Sequence, residues 1–247
     1  MTQPSYVNTS STDKHRNEIQ VFFYVIGVDK YKPQTIKHLI GQQGEKSSVQ
    51  KLIVWLRDWY KYHGHQNEKV KAKPPLPFNR NENSTMFKAA LLSGPPGIGK
   101  TTAAQLVCQY LNFEYIEKNA SDQRSKKFIS NLSYDTYDIG HLSDKSSSLS
   151  KHVLIMDEVD GVAGNQDRGG IQELILLIKR TRIPIICICN DRQHKKIRSL
   201  ANYCYDLRFY RPTIQQIRAS MLTILHRENI YNIKQETLDE IIQSCNQ

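Results

Sequence analysis

The run Ala89-Ala90-Leu91-Leu92-Ser93-Gly94-Pro95-Pro96-Gly97-Ile98-Gly99-Lys100-Thr101-Thr102 decides the reading of this 247-residue chain. An apolar, strand-like segment breaks into a glycine-rich turn and then into helix-forming residues, with the helix predicted over residues 102–111. Gly94, Gly99, Lys100 and Thr101 stand at the spacing G-x-x-x-x-G-K-[ST], that of a phosphate-binding loop. The glycines let backbone N–H groups close around a polyphosphate, and the helix beginning near Gly99 turns its positive end toward that charge. Lys100 supplies a point charge for the β and γ phosphates, and the Thr101 hydroxyl a ligand for Mg²⁺. A glycine-rich turn without chemistry could carry the same glycines. The strand before it and the helix after it favour the phosphate reading.

Residues 151–160, KHVLIMDEVD, form a buried-strand pattern ending in carboxylates. A parallel sheet carries such groups to its carboxyl edge, where ligands bind. Asp157 is placed to hold Mg²⁺ directly or through water, and Glu158 to polarise an attacking water, since phosphoryl transfer needs a positioned base and in-line geometry. The apolar run of residues 183–189 stops at Asn190. That puts a hydrogen-bonding amide at the same edge, beside a γ-phosphate; a plain turn asparagine is the competing reading.

The remaining chain fits around these strands. The first residues, to about 18, are polar and rich in Ser, Thr and Asn, and residues 21–26 are either a packed strand or an extended arm. Tyr31-Lys32-Pro33 breaks any helix and sets an aromatic ring beside a base on an extended segment. Residues 46–63 repeat apolar side chains at three-four spacing, with Trp55 and Trp59 widening the face, which predicts a helix covering the sheet. Residues 64–83 are polar, basic and proline-bearing, as expected of a surface excursion. Residues 113–117 suit a second strand, 134–150 a loop, 171–180 a short helix and 203–210 a fifth strand. Thr213 caps a following helix, and a last one begins near Gln235. Five strands alternating with helices predict a parallel α/β sheet followed by a small helical unit.

The balance of 34 Lys and Arg against 24 Asp and Glu, net +10, suits a polyanionic partner without requiring one. The cysteines at 108, 187, 189, 204 and 245 lack metal-ligand spacing and are expected to be reduced thiols of an intracellular protein. No apolar run approaches the length needed to span a bilayer, so no membrane partner is expected.

VDKYKP, GPPGIGKTT, NASDQRSK, LIMDEVDG, DRGG, ICICN and LRFYRP occur in this order. Together they resemble the AAA+ clamp-loader ATPases, and among them the replication factor C large-subunit family, over residues 28–247. The resemblance implies an AAA+ P-loop NTPase fold with a five-stranded parallel sheet and a truncated helical lid. The implied division is a leader at 1–25, a nucleotide-binding domain at 26–211 and part of a lid at 212–247. The implied cofactors are ATP and Mg²⁺. The implied partners are four smaller subunits, the ring-shaped sliding clamp (proliferating-cell nuclear antigen) and primer-template DNA, in the nucleus.

Carried over residue by residue, the resemblance assigns nucleotide binding to Tyr31, Lys32 and Pro33 around adenine and to Gly94, Pro95, Pro96, Gly97, Ile98, Gly99, Lys100, Thr101 and Thr102. Metal falls to Thr101 and Asp157, and catalysis to Lys100, Glu158 and the first sensor, Asn190. Three departures stand out. Gly27 takes the place of the family's usual tryptophan, Asn202-Tyr203 replaces the Ser-Arg pair that supplies an arginine finger, and the helix bearing the second-sensor arginine falls beyond Gln247.

Two contact surfaces are also expected. Arg124, Lys126, Lys127, Arg168, Lys179 and Arg180 either line a duplex phosphate backbone or form solvated faces. The helix holding Gln172 and Ile175 either enters a pocket of the clamp or packs in the core. An ATP-gated scaffold with little hydrolysis, and another AAA+ clamp or helicase loader, are the alternatives. The LIMDEVDGVAGNQDRGGIQELI block argues against the second.

Overall fold

The computed structural model describes residues 30–63, 84–120, 151–161 and 169–245. Arg124, Lys126, Lys127 and Arg168, the leader and the expected strand or arm at 21–26 lie outside them. The elements are α1 (Ser48–His63), β1 (Ala89–Ser93), α2 (Lys100–Tyr110), β2 (Phe113–Asn119), β3 (Lys151–Asp157), α3 (Gly170–Arg180), β4 (Ile185–Cys189), α4 (Lys195–Ala201), β5 (Cys204–Arg208), α5 (Ile214–Arg227) and α6 (Gln235–Ser244).

Five strands form one sheet in the order β2-β3-β4-β1-β5. All paired neighbours are parallel. The five-stranded parallel α/β sheet expected from the sequence is therefore present. β1 sits between β4 and β5, so the loop that leaves it emerges in the interior of the sheet.

Alternation along the strands builds two cores. Ala89, Leu91, Leu154, Met156, Ile185 and Cys187 face the layer of α3 and α4, and Ala90, Leu92, Val153, Ile155, Ile186 and Ile188 face that of α1 and α2. Being buried on both sides, these strands read as continuous apolar runs. α1 also docks through polar tips: the Trp55 and Trp59 indoles donate to the carbonyls of Phe87 and Lys88, each at 3.0 Å, and the Tyr60 hydroxyl to that of His152 at 3.0 Å. These bonds satisfy groups that burial of the rings would otherwise leave unpaired.

α4 was not expected from the sequence. It carries only Ile197, Leu200 and Ala201 into the core, too few for a helical period to show. Beyond β5, α5 begins with a capping box. The Gln216 N–H donates to Thr213 Oγ1 at 3.4 Å, and the Thr213 N–H to Gln216 Oε1 at 2.9 Å. α6 packs on α5 through Leu238 and Ile242 and a two-bond pair between Arg218 and Asp239.

Candidate nucleotide site

The loop after β1 is held by backbone that only glycine adopts without strain. Gly94, Gly97 and Gly99 have φ of 153°, 76° and 84°. A Cβ on Gly94 would lie 2.4 Å from the Phe209 carbonyl oxygen. That carbonyl cannot yield readily, because the Phe209 N–H is bonded to Ser93 O at 2.8 Å. α2 then starts at Lys100, two residues earlier than expected, so that Lys100 and Thr101 belong to its first turn.

Lys100 is 6% exposed and its ammonium has three acceptors: Gly94 O at 2.8 Å, Pro95 O at 2.7 Å and Asn190 Oδ1 at 2.8 Å. Burial lowers its pKa, while Cys189, Asp157 and Asp160 oppose that shift. The Thr101 hydroxyl donates to Asp157 Oδ2 at 2.6 Å. A hydroxyl and a carboxylate oxygen in contact, beside an amine, at a helix N-terminus are a donor set suited to Mg²⁺ and a polyphosphate. The residues present therefore fit the nucleotide and metal that the motif implies.

Glu158 follows Asp157 in the left-handed region, at φ 51°, which turns its side chain away from the strand direction. Asn119, at the end of β2 and in register with Asp157, donates from Nδ2 to Glu158 Oε2 at 3.2 Å. The amide thus holds the Glu158 carboxylate at the end of β2. Sequence reasoning did not assign a role to Asn119, since the pairing depends on strand register.

A cleft of about 540 Å³ opens beside Gly94 and Pro95, lined also by Asn190, Arg192, Arg208 and Tyr210. Arg192 is tied to Asp206 of β5 by Nε to Oδ2 at 2.7 Å. Tyr31 and Lys32 line a separate cleft against α5. There Lys30 Nζ meets Glu228 Oε1 at 2.6 Å and the Tyr31 hydroxyl donates to the same oxygen. The structure thus places Tyr31 beside the helix that follows the sheet, not among the residues lining the cleft at Gly94.

Residues 90–213 match the family described as "ATPase family associated with various cellular activities (AAA)". The chain belongs to the AAA family. Among AAA proteins it is 49% identical over 243 residues to replication factor C subunit 1 of Homo sapiens, covering 95% of this chain and 20% of that protein. The Drosophila melanogaster protein of the same name is 51% identical over 224 residues, covering 89% and 22%. That of Saccharomyces cerevisiae is 38% identical over 224 residues, covering 87% and 24%. The chain therefore spans about a fifth to a quarter of the length of these relatives. Among solved structures it is similar to a chain of the E. coli MS115-1 HORMA:CdnC:Trip13 complex. The TM-score is 0.55 at 16% identity, over 83% of this chain and 73% of that chain, which shows a shared fold alone.

Within that AAA frame the expected surfaces divide. On α3, Gln172 is exposed, but Ile175 is 5% exposed and belongs to the core with Leu174 and Ile178. The expectation that Ile175 contacts a partner is therefore corrected: it lies on the helix face that packs against the sheet. Leu176, at 41% exposure, is the apolar side chain α3 presents outward. Lys179 and Arg180 are exposed at the end of the same helix, with the Lys179 ammonium 4.7 Å above the Tyr203 ring. No described helix is long and apolar enough to cross a membrane.

Proposed function

We propose that this chain is the ATPase module of a clamp-loader large subunit, which binds and hydrolyses ATP to open a sliding clamp and close it around primer-template DNA in the nucleus. The observation that carries the ATP reading is the meeting of three strand ends at one point. Lys100 contacts Asn190, and Thr101 contacts Asp157, within bonds of 2.6–2.8 Å. The clamp-loader reading is supported by the similarity to replication factor C subunit 1 across 87–95% of this chain.

Bound Mg²⁺ would neutralise charge on the β and γ phosphates. Around it, Lys100 would give its ammonium to phosphate oxygens in place of the Gly94 and Pro95 carbonyls, and Thr101 Oγ1 and the Asp157 carboxylate would hold the metal. Asn190 donates its amide to the outermost phosphate. Glu158, once freed from Asn119, accepts the proton of the attacking water. The tyrosine, lysine and proline at 31–33 would take the base in the cleft against α5 where Tyr31 and Lys32 stand.

The division at 211/212 between nucleotide-binding domain and lid belongs to the same reading, as do four smaller subunits, duplex phosphate contacts by Lys179 and Arg180, and a clamp contact at Gln172. The test is clamp loading by a reconstituted assembly containing the full-length chain. Lys100→Ala in this subunit is expected to abolish its ATP binding and to slow loading. Loading and nucleotide occupancy at wild-type levels would refute the proposal.

A further inference from the structure

Asp160 lies outside every role assigned above, yet it joins two edges of the site. The β3–β4 ladder pairs Leu154 with Ile185, Ile155 with Ile186 and Met156 with Cys187. Past that point β3 turns away, closed by the Gly161 N–H donating to Glu158 O at 2.9 Å. The two chains stay joined because the Val159 N–H donates to Ile188 O at 3.0 Å. Asp160 then takes over: its Oδ2 accepts the backbone N–H of Asn190 at 2.9 Å and that of Asp191 at 3.3 Å. A carboxylate here substitutes for the next carbonyls of a ladder that has ended, with the added strength of a charged acceptor.

We propose that Asp160 is a positioning residue for Asn190, anchoring its backbone so that its side-chain amide meets Lys100 and the γ-phosphate. The inference rests on the ATP-site reading above. The turn of residues 158–161 then works in two directions, Glu158 reaching Asn119 at the end of β2 and Asp160 reaching Asn190 at the end of β4. One short segment thereby sets the attacking-water group and the phosphate-sensing group relative to each other. A surface carboxylate that merely capped a turn would also accept these N–H groups, but its loss would affect stability and not turnover.

The variants Asp160→Ala, Asp160→Asn, Asn190→Ala and the double Asp160→Ala/Asn190→Ala, in the full-length chain within its assembly, separate the two. Removing one preorganised donor costs on the order of 10²-fold or more in turnover, so Asn190→Ala and Asp160→Ala are expected to lower kcat by at least tenfold, with ATP affinity within about threefold of wild type. Because the two residues act as a unit, the double variant is expected to be no slower than Asn190→Ala by more than about twofold. Asp160→Asn keeps the volume and one carbonyl acceptor, and so should recover most of the activity. It should still show faster amide exchange at 190 and 191 than wild type, since a neutral acceptor holds an N–H less strongly. In Asp160→Ala those two amides are expected to exchange at least about tenfold faster while β1 amides do not change.

Full turnover by Asp160→Ala beside a slow Asn190→Ala, effects that multiply in the double variant, or unchanged exchange at 190 and 191 would overturn the inference alone. Unchanged turnover by Asn190→Ala would remove the sensor reading, and this inference with it.

Discussion

At the scale of single residues, the nucleotide site is a set of side chains whose ordinary behaviour has been altered by burial. Lys100 bonds to three acceptors in place of water, and Gly94 leaves the gap through which the loop passes Phe209. Replacing Gly94 by alanine sets a Cβ 2.4 Å from the backbone oxygen of Phe209, whose N–H is tied to Ser93. The expected cost is about 1–3 kcal/mol of stability, read from denaturant unfolding, together with weaker nucleotide binding.

A second residue-scale effect concerns acid. His63 at the end of α1 is held down to about 4 by burial first and by the nearby Lys88 charge second. Its Nε2 is buried without a hydrogen-bond partner among the described residues. The unfolded chain takes up a proton near the ordinary 6.5 and the folded one only near 4, so stability is fully present above pH 6.5 and declines as pH falls between those values. His63→Leu is expected to flatten the acid limb of unfolding free energy measured from pH 7 to pH 4.5, whereas parallel curves would contradict this. The thiols behave oppositely: burial pushes Cys108 and Cys189 up to about 12, keeping them protonated and unreactive.

Elements differ in how far they were legible. The strands were clear because a sheet covered on both faces needs unbroken apolar runs, and Ala89–Ser93, Lys151–Asp157 and Ile185–Cys189 supply them. α1 was clear from its periodic face, and α5 from the Thr213 cap. Removing that cap by Thr213→Ala is expected to cost about 1 kcal/mol, measured as a lowered melting temperature, with little change in a Thr213→Ser control. α4 was not legible, since seven residues with two lysines and an arginine among them give no period. The partnerships of Asn119 with Glu158 and of Asp160 with Asn190 were not legible either. Each joins residues brought together by strand register and by the turn after β3, which no local pattern of residue types encodes. Ile175 was misassigned for a related reason: periodicity shows that a helix has an apolar face, but not whether a sheet or a partner covers it.

For the whole molecule, the AAA fold brings Lys100, Thr101, Asp157 and Asn190 together at one sheet edge, and on the clamp-loader reading proposed above Tyr203 takes the place of an arginine finger. We expect the chain to receive a finger from a neighbour and to donate none. A finger is worth on the order of 10³-fold or more in turnover, so ATP hydrolysis at this site should rise by that order on assembly and fall back when the neighbour's finger arginine is replaced. Stimulation that survives that replacement would mean the neighbour acts by another route.

The most direct measurement of the central claim, that Glu158 drives hydrolysis at a site built by Lys100, Thr101, Asp157 and Asn190, is nucleotide retention and turnover on the same assembly with Glu158→Gln in this subunit. The account predicts that ATP stays bound at this site with near wild-type affinity and is not cleaved there. Cleavage at the wild-type rate, or loss of ATP binding, would contradict it.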